Sequence, residues 1–326
     1  MATLTKPAIK VDKVKFKKYS TKYTISFIRL VFLIGMSFVV LFPLFQKLVY
    51  SIMSSVDLTD ATVSYIPKNV TFENFKSAWT TLGGLPTFLR TLGLTVTCSL
   101  LAVTCATVTG YGLARFKFKL NSALFGLVIL ALVLPSDLLF TPRYIMFAWL
   151  DETSISFAST LSEWFGTTVK PVSFIGSSWI PMLLFSATCT GLKSSLYIFL
   201  MRQFFKGQPH ELEEAAYVDG AGPFRTFYSI MLPGAVSMMI TVFLFSFVFQ
   251  WLDDSFTTIF MSQVELISTK YGDFDRDWSD NSALNNLNKS LTKSAGVVII
   301  IAPLVALYAF TQRYFVESIS RSGLVG

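Results

Sequence analysis

The sequence predicts an all-α polytopic membrane protein with six transmembrane helices and a short helix between the fourth and the fifth. Of its 326 residues, 52% carry hydrophobic side chains and only 14% are charged. That composition leaves too little polar surface for a soluble globule of ordinary kind. Apolar runs of about 20 residues, the length that an α-helix needs to cross the hydrocarbon core, recur along the chain. The predicted spans are residues 30–53, 86–113, 122–142, 179–205, 232–260 and 294–312.

The first 29 residues hold most of the excess positive charge. They contain seven lysines and Arg29 against a single acid, Asp12. Anionic lipid headgroups explain such a stretch in a membrane protein better than nucleic acid does. Residues 1–23 are predicted to be a solvated, Lys-rich tail, and the apolar run after them is too long for the core of a signal peptide. The remainder divides into one membrane domain, 24–313, and a short tail, 314–326.

The charges on the connecting segments predict the orientation of the chain in the membrane. One set of segments carries 16 Lys and Arg residues against 6 acids, and the other set carries 8 against 11. Lys and Arg are retained on the cytoplasmic side of a membrane. Both termini and the loop after the fourth span are therefore predicted to be cytoplasmic. The cytoplasmic set is 1–29, 113–121, 202–231 and 313–326, and the external set is 54–85, 143–175 and 261–293.

The 209–233 loop is a polar, charged interruption between two strongly apolar segments in the second half of the chain. Pro209 suits a first helical position, and acids in the next turn interact favourably with the positive end of the helix dipole. This helix is predicted to break at Gly220, and a second short helix is predicted to begin at Pro223. The acids of the first turn are Glu211, Glu213 and Glu214.

The same loop resembles the EAA loop of bacterial ABC-importer membrane subunits. Seven fixed positions match at their spacing, together with the aspartate that commonly precedes the glycine. The flanking residues are similar to the carbohydrate-uptake branch of that family, the maltose-type permeases, and the resemblance extends from about residue 24 to the C-terminus. The matching run is Glu214-Ala215-Ala216, three residues, Gly220, nine residues, Ile230, one residue, then Leu232-Pro233, with Asp219 before the glycine.

This resemblance implies the fold of a type I ABC-importer permease, in which the loop forms a coupling helix. In that family the helix docks on a separate ATPase subunit, so the ATP and Mg²⁺ bind to two partner subunits and this chain binds no cofactor. The other partners are a second homologous permease and an external solute-binding lipoprotein, in a bacterial plasma (inner) membrane. The coupling residues implied are Glu213, Glu214, Ala215, Ala216, Asp219, Gly220, Ile230, Leu232 and Pro233.

The sequence offers no catalytic or metal-binding constellation. The three cysteines fall inside apolar segments and His210 is the only histidine, so neither a disulfide framework nor a metal site is predicted. The chain also has no phosphate-binding Gly-Lys-Ser/Thr motif and no nucleophile with a base. It is therefore predicted to be a subunit without enzymatic activity.

The substrate pathway is predicted from polar residues inside the fourth and fifth spans. Lys193 lies about 13 Å along the helix from Arg202, near mid-membrane, where an ammonium group needs a polar cavity or a carboxylate partner. Trp stacks on the apolar faces of sugars, and carboxylates and amides accept hydrogen bonds from hydroxyl groups. A structural ion pair with interfacial anchors explains the same residues without a ligand. The candidates are Lys193, Gln250, Trp251, Asp253, Asp254 and, at the end of the third span, Asp137.

Two functions remain open at this point. The first is a permease subunit of an ATP-driven importer that translocates a carbohydrate, an oligosaccharide in particular. The second is an ion-coupled secondary transporter or channel that acts without an ATPase, with Lys193, Asp137, Asp253 and Asp254 as an ion relay. Six spans with one docking loop favour the first, because they leave an incomplete pore that needs a partner.

Overall fold

Every regular element of the protein is helical in the residues that the structure describes. The computed structural model describes residues 13–275 and 283–322, with side chains described for 22–274 and 286–314. Within these ranges the predicted all-α fold is confirmed. The helices are α1 (Lys13–Ile52), α2 (Ser55–Thr59), α3 (Glu73–Thr81), α4 (Gly84–Arg115), α5 (Asn121–Val133), α6 (Phe140–Phe165), α7 (Ile180–Ala187), α8 (Ser194–Gly207), α9 (Glu211–Val218), α10 (Pro223–Thr226), α11 (Leu232–Gly234), α12 (Val236–Trp251), α13 (Ser255–Phe260), α14 (Ile267–Gly272) and α15 (Ala283–Ser322).

Helix α4 is the centre of the packing and contains the whole predicted second span. It lies against α8 on one side and α12 on another. At the α4–α8 crossing a Cβ on Gly110 would lie 2.7 Å from the Cβ of Met201 and 2.9 Å from the backbone nitrogen of Arg202. Only glycine permits so close an approach of two backbones. The close contact between α4 and α8 therefore depends on glycine at position 110.

Helices α1 and α15 extend beyond the spans predicted for them. Helix α1 begins at Lys13, inside the predicted tail 1–23, and α15 continues to Ser322, inside the predicted tail 314–326. Residues 1–12 and 323–326 of those tails lie outside the described residues. The most apolar 18-residue stretch of α1 has none of its residues buried, whereas half of the corresponding stretch of α4 is buried. Helix α1 thus presents most of its surface away from the rest of the chain.

The third predicted span ends early, and a predicted loop is helical. Leu134 has an extended backbone, with ψ at 132°, because the residue before a proline disfavours the helical conformation and Pro135 donates no hydrogen bond. The chain turns by 111° there and continues into α6. The external loop predicted for 151–177 is therefore wrong up to Phe165, where Gly166 ends the helix with φ at +64°.

The fourth predicted span is interrupted. Helix α7 ends at Ala187 and α8 begins at Ser194, and between them Cys189 and Lys193 have positive φ values of 56° and 53°. Non-glycine residues rarely adopt this left-handed conformation. The sequence of this stretch is apolar enough to suggest one continuous helix, so the prediction of an unbroken helix over 179–205 is wrong.

The number of spans depends on how the bent helices are counted. Three described helices are each long and apolar enough to cross a membrane, and the count rises to five when each of two bent pairs is taken as one span. The interrupted unit of α7 and α8 occupies the remaining predicted span. The bent pairs are 121–133 with 136–165 and 223–234 with 236–251.

The segment after α1 is held together by two aspartates. Asp57 accepts hydrogen bonds from the backbone nitrogen (2.8 Å) and the side-chain nitrogen (2.7 Å) of Asn69, and Asp60 contacts Lys68 Nζ at 2.7 Å. The backbone hydrogen bond from Asn69 is the main cause that lowers the pKa of Asp57. The side-chain hydrogen bond from Lys68 is the main cause that lowers the pKa of Asp60.

We expect the 54–70 segment to lose order in acid. A carboxyl group whose pKa is lowered by folding contributes stability above its unfolded pKa, about 4, and this contribution disappears as pH falls through the lower folded pKa. Hydrogen exchange of residues 54–70, corrected for intrinsic rates, should therefore accelerate below about pH 4 relative to α4. Protection that stays unchanged from pH 7 to pH 2.5 would contradict this expectation.

Candidate functional site

The 209–233 loop forms the two short helices that its sequence predicts. Helix α9 begins at Glu211, two residues after Pro209, and α10 begins at Pro223 as predicted. Between them Gly220 has φ at +78°, and its nitrogen donates to the carbonyl oxygen of Tyr217 at 3.0 Å. Glycine adopts this conformation without steric cost, which is why it commonly follows the end of a helix. Gly220 therefore makes the turn that the sequence predicts.

One face of α9 is anchored to the end of α4 through Glu213. The Glu213 side chain is only 9% exposed, and that of its partner Arg115 is 2% exposed. Tyr111 Oη donates a hydrogen bond to Glu213 Oε1 at 2.9 Å, and Arg115 Nη1 lies 3.5 Å from Glu213 Oε2. Ala216, one turn further along α9, is also buried. The buried carboxylate of this loop is thus engaged inside the chain.

Arg115 also fixes the segment that leads into α9. Its Nη2 donates to the carbonyl oxygen of Gln208 at 2.8 Å, and its Nη1 lies 2.8 Å from His210 Nδ1. The sequence indicates Arg115 only as one of the positive charges of segment 113–121, and it gives no indication of Tyr111. Both residues lie about a hundred positions before Glu213, so no local spacing could have paired them. The one available signal was an arginine just after the end of the second predicted span.

The opposite face of the loop is open. Glu214, Ala215 and Asp219 are exposed there, beside two large apolar side chains, Val218 at 88% and Phe224 at 83% exposed. Apolar side chains that are exposed beside carboxylates are typical of a protein-binding surface. We call this set of five residues the exposed face of the loop.

The loop returns to the membrane helices through an aromatic cluster. Residues Phe227–Met231 form a π-helical turn, and the Phe227 ring lies 4.7 Å from that of Tyr111, measured between centroids. Met231 is fully buried in the same core as Tyr197 and Phe205 of α8. The half-buried Ile230 and Leu232 pack against this core, whereas Pro233 is exposed. A displacement of the loop must therefore move the ends of α4, α8 and α12 together.

Two of the predicted substrate-pathway residues, Asp253 and Trp251, have structural roles. Asp253 is buried, and its carboxylate accepts hydrogen bonds from the backbone nitrogens of Phe256 (3.2 Å) and Thr257 (2.9 Å) at the start of α13. Trp251 is 1% exposed and donates from Nε1 to the carbonyl oxygen of Ile300 at 3.1 Å. Gln250 beside it is also buried. In this conformation Trp251 offers no open face to a sugar.

The other candidates do not meet these three. Lys193 is exposed in the break before α8, and in the described part of the chain neither Asp253 nor Asp254 lies within ion-pair distance of it. Asp254 is exposed near Thr258, and Asp137 is exposed in the turn between α5 and α6. The structure therefore does not form the ion pair that the sequence left open. Lys193 instead lines a cavity with Arg143, which sequence reasoning missed.

Comparison with known proteins identifies the family. Residues 100–321 match the family described as the inner membrane component of binding-protein-dependent transport systems. The chain is 26% identical over 286 residues to the melibiose/raffinose/stachyose import permease protein MelC of Bacillus subtilis, covering 87% of this chain and 91% of that protein. It is 26% identical over 290 residues to the sn-glycerol-3-phosphate transport system permease protein UgpE of Pectobacterium atrosepticum, covering 86% and 90%.

A solved structure extends the likeness in fold. A chain in the crystal structure of a bacterial ABC transporter involved in the import of the acidic polysaccharide alginate superposes with a TM-score of 0.67 at 16% identity. The superposition covers 90% of this chain and 98% of that one. The resemblance drawn from the 209–233 loop is thereby confirmed. This chain belongs to the family of inner membrane components of binding-protein-dependent transport systems, the permease subunits of ABC importers.

Proposed function

We propose that this chain is the membrane-spanning subunit of an ATP-driven carbohydrate importer, with the 209–233 loop as its contact to the ATPase. It works with a second homologous permease, two ATPase subunits that bind ATP and Mg²⁺, and an external solute-binding protein. The chain itself binds no cofactor. The observation that carries the proposal is the loop, with one face buried against α4 and the other face open to a partner.

The buried face supplies a path for force. The charged and hydrogen-bonded contacts of Glu213 join α9 to α4, and the aromatic core around Phe227 joins α10 to α8. Packed interiors respond to displacement as units, since their side chains interdigitate at crystal-like density. Closure of the ATPase pair against the exposed face of the loop would therefore rotate these helices between inward-open and outward-open packing.

The exposed apolar stretch of α1 supports the proposal that a second membrane subunit is present. Helices in lipid associate by close packing and by polar contacts, and most helices of a bundle gain both from their neighbours. The most apolar 18-residue stretch of α1 gains little from its neighbours, because none of its residues is buried. A homologous permease would cover part of this surface.

The charge asymmetry of the connecting segments supports cytoplasmic termini. With that orientation the exposed face of the loop would lie on the same side of the membrane as the ATPase.

The names of two relatives support a carbohydrate as the cargo. MelC is named for the import of melibiose, raffinose and stachyose, and the similar solved structure takes part in the import of alginate. An ion-coupled carrier is less well supported, because Asp253 is occupied in capping α13 and stands apart from Lys193. The proposed relay would lack a continuous set of titratable groups.

Reconstitution tests the proposal directly. We expect the purified chain alone in liposomes to transport no sugar, and the complex with its second permease and ATPase subunits to take up labelled oligosaccharide only with ATP and binding protein. A complex with an ATPase that cannot hydrolyse ATP is the matched control. Transport by the chain alone, or driven by an ion gradient without nucleotide, would refute the proposal.

A further inference from the structure

A cavity lies where the third and fourth predicted spans both break. It has a volume of about 270 Å³ and lies between the turn after α5, the start of α6 and the segment that joins α7 to α8. No acidic residue lines it within the described part of the chain. Its polar lining residues are Ser136, Arg143, Thr190, Lys193, Ser194 and Ser195.

Arg143 is held in place without a carboxylate. Its guanidinium carbon lies 5.3 Å from the ring centroid of Phe185 and 5.5 Å from that of Phe256. Such contacts fix the position of a guanidinium group but satisfy none of its five N–H donors. In the described residues Arg143 has neither an ion pair nor a hydrogen bond. A half-buried cation of this kind ordinarily has a partner.

The start of α8 brings further groups that suit an anion. Lys193 caps this 14-residue helix in the left-handed conformation, and the helix dipole is positive at this end. Ser194, which lines the same cavity, is only 4% exposed, and its hydroxyl group has no hydrogen-bond partner. An unpaired buried hydroxyl costs free energy, which a ligand oxygen would recover.

We propose that this cavity binds an anionic group of the transported solute, a carboxylate or a phosphate, during translocation. Two cations without a carboxylate, an unpaired buried hydroxyl and a helix N-terminus converge on it. A neutral sugar would leave both charges unbalanced, whereas an acidic oligosaccharide or a phosphorylated polyol would balance them. This inference rests on the proposed function, since it specifies the chemical class of the cargo.

Cys189 lines the cavity and reports its occupancy. The experiment uses the assembled complex, with Cys98→Ser and Cys105→Ser so that Cys189 is the chain's only thiol, and measures the rate of modification by a neutral maleimide. A diuronate or glycerol 3-phosphate should slow modification about tenfold or more at saturation, whereas a neutral disaccharide should not. Arg143→Gln or Lys193→Gln should weaken the protection about tenfold or more. Arg143→Lys and Lys193→Arg should retain much of it.

The control is Lys170→Gln, which removes an exposed charge outside the cavity and should change nothing. Equal protection by neutral and anionic probes, or unaltered protection in both glutamine variants, would overturn the inference. So would protection that depends on phosphatidylglycerol in the vesicles and not on solute, since a lipid headgroup would then fill the cavity. If Cys189 becomes reactive only when the second permease is removed, a side chain of that subunit fills the cavity. This result would also overturn the inference.

These outcomes are separate from a failure of the proposed function. If the complex imports a neutral sugar with ATP and anions do not slow the modification of Cys189, the proposed importer function stands and the inference of an anionic cargo is wrong. If transport needs no ATPase, the proposed function falls whatever the labelling shows.

Discussion

Gly220→Pro is expected to abolish ATP-driven uptake and association with the ATPase subunits, while the chain still reaches the membrane. Proline fixes φ near −65°, but Gly220 lies at +78°, and proline also lacks the N–H that donates to the carbonyl oxygen of Tyr217. The turn between α9 and α10 must therefore rearrange, and the exposed face of the loop loses its shape. Uptake of labelled sugar, membrane content and co-purification of the ATPase measure the three effects.

Gly220→Ala distinguishes the effect of the backbone conformation at this turn from the effect of adding a side chain. No atom lies within 4 Å of a Cβ built on Gly220, so alanine meets only the cost of the left-handed conformation, about 1–2 kcal/mol. Partial uptake is expected. Gly126→Ala is the matched control, since Gly126 lies in α5 and a Cβ there also meets no atom within 4 Å. Normal association and uptake in the Gly220→Pro complex would show that the turn is not the coupling element.

Glu214→Lys tests the chemistry of the same surface without changing its shape. Glu214 is exposed on α9, so charge reversal should leave the fold intact and act only on a partner with basic groups. We expect the ATPase to associate less tightly with this variant. The loss of association should be smaller at high salt concentration, because salt screens the repulsion. Glu211→Lys, on an exposed residue of the same turn, is the comparison. Equal effects at both positions would mean that net charge matters and the position of Glu214 does not.

The fold and the loop could be predicted from the sequence to the extent that their signals are local. Pro209, Gly220 and Pro223 act on the backbone next to them, and the structure has its helix boundaries within two residues of those positions. Pro135 also acts locally, but the predicted third span, 122–142, runs through it, because apolar residues continue on both sides of it. A local signal was thus present there and was outweighed by the hydropathy of the run.

The parts that could not be predicted depend on contacts between distant residues. The partners of Glu213 come from the far end of α4, whereas the sequence predicts Glu213 only as an acid of the first turn and, by resemblance, as a coupling residue. The left-handed conformations of Cys189 and Lys193 have no signature in their residue types, since neither is a glycine or an asparagine. Arg143 was counted only as one charge of an external segment, because its aromatic neighbours come from α7 and α13.

Glu213→Ala is expected to destabilise the chain by about 3–5 kcal/mol, because removal of one partner from a buried ion pair leaves the other charge uncompensated. Arg115, with a side chain 2% exposed, has no route to water without a displacement of α9. Tyr111 loses its acceptor at the same time. Glu213→Gln retains an oxygen for Tyr111 but no charge, so its cost should be smaller. Thermal unfolding of the purified chain in detergent measures both.

Function should fail in a different way at Glu213 than on the exposed face of the loop. If the buried carboxylate transmits motion from α9 to α4, Glu213→Gln will still bind the ATPase and support ATP hydrolysis, but uptake per ATP will fall. Tyr111→Phe removes a single hydrogen bond, about 1 kcal/mol, and should reproduce part of that loss. Glu214→Gln alters the neighbouring exposed carboxylate and should leave the unfolding temperature unchanged. A Glu213→Ala chain as stable as this control would contradict the anchoring role of Glu213. Full uptake per ATP in Glu213→Gln would mean that the aromatic core around Phe227 transmits the motion alone.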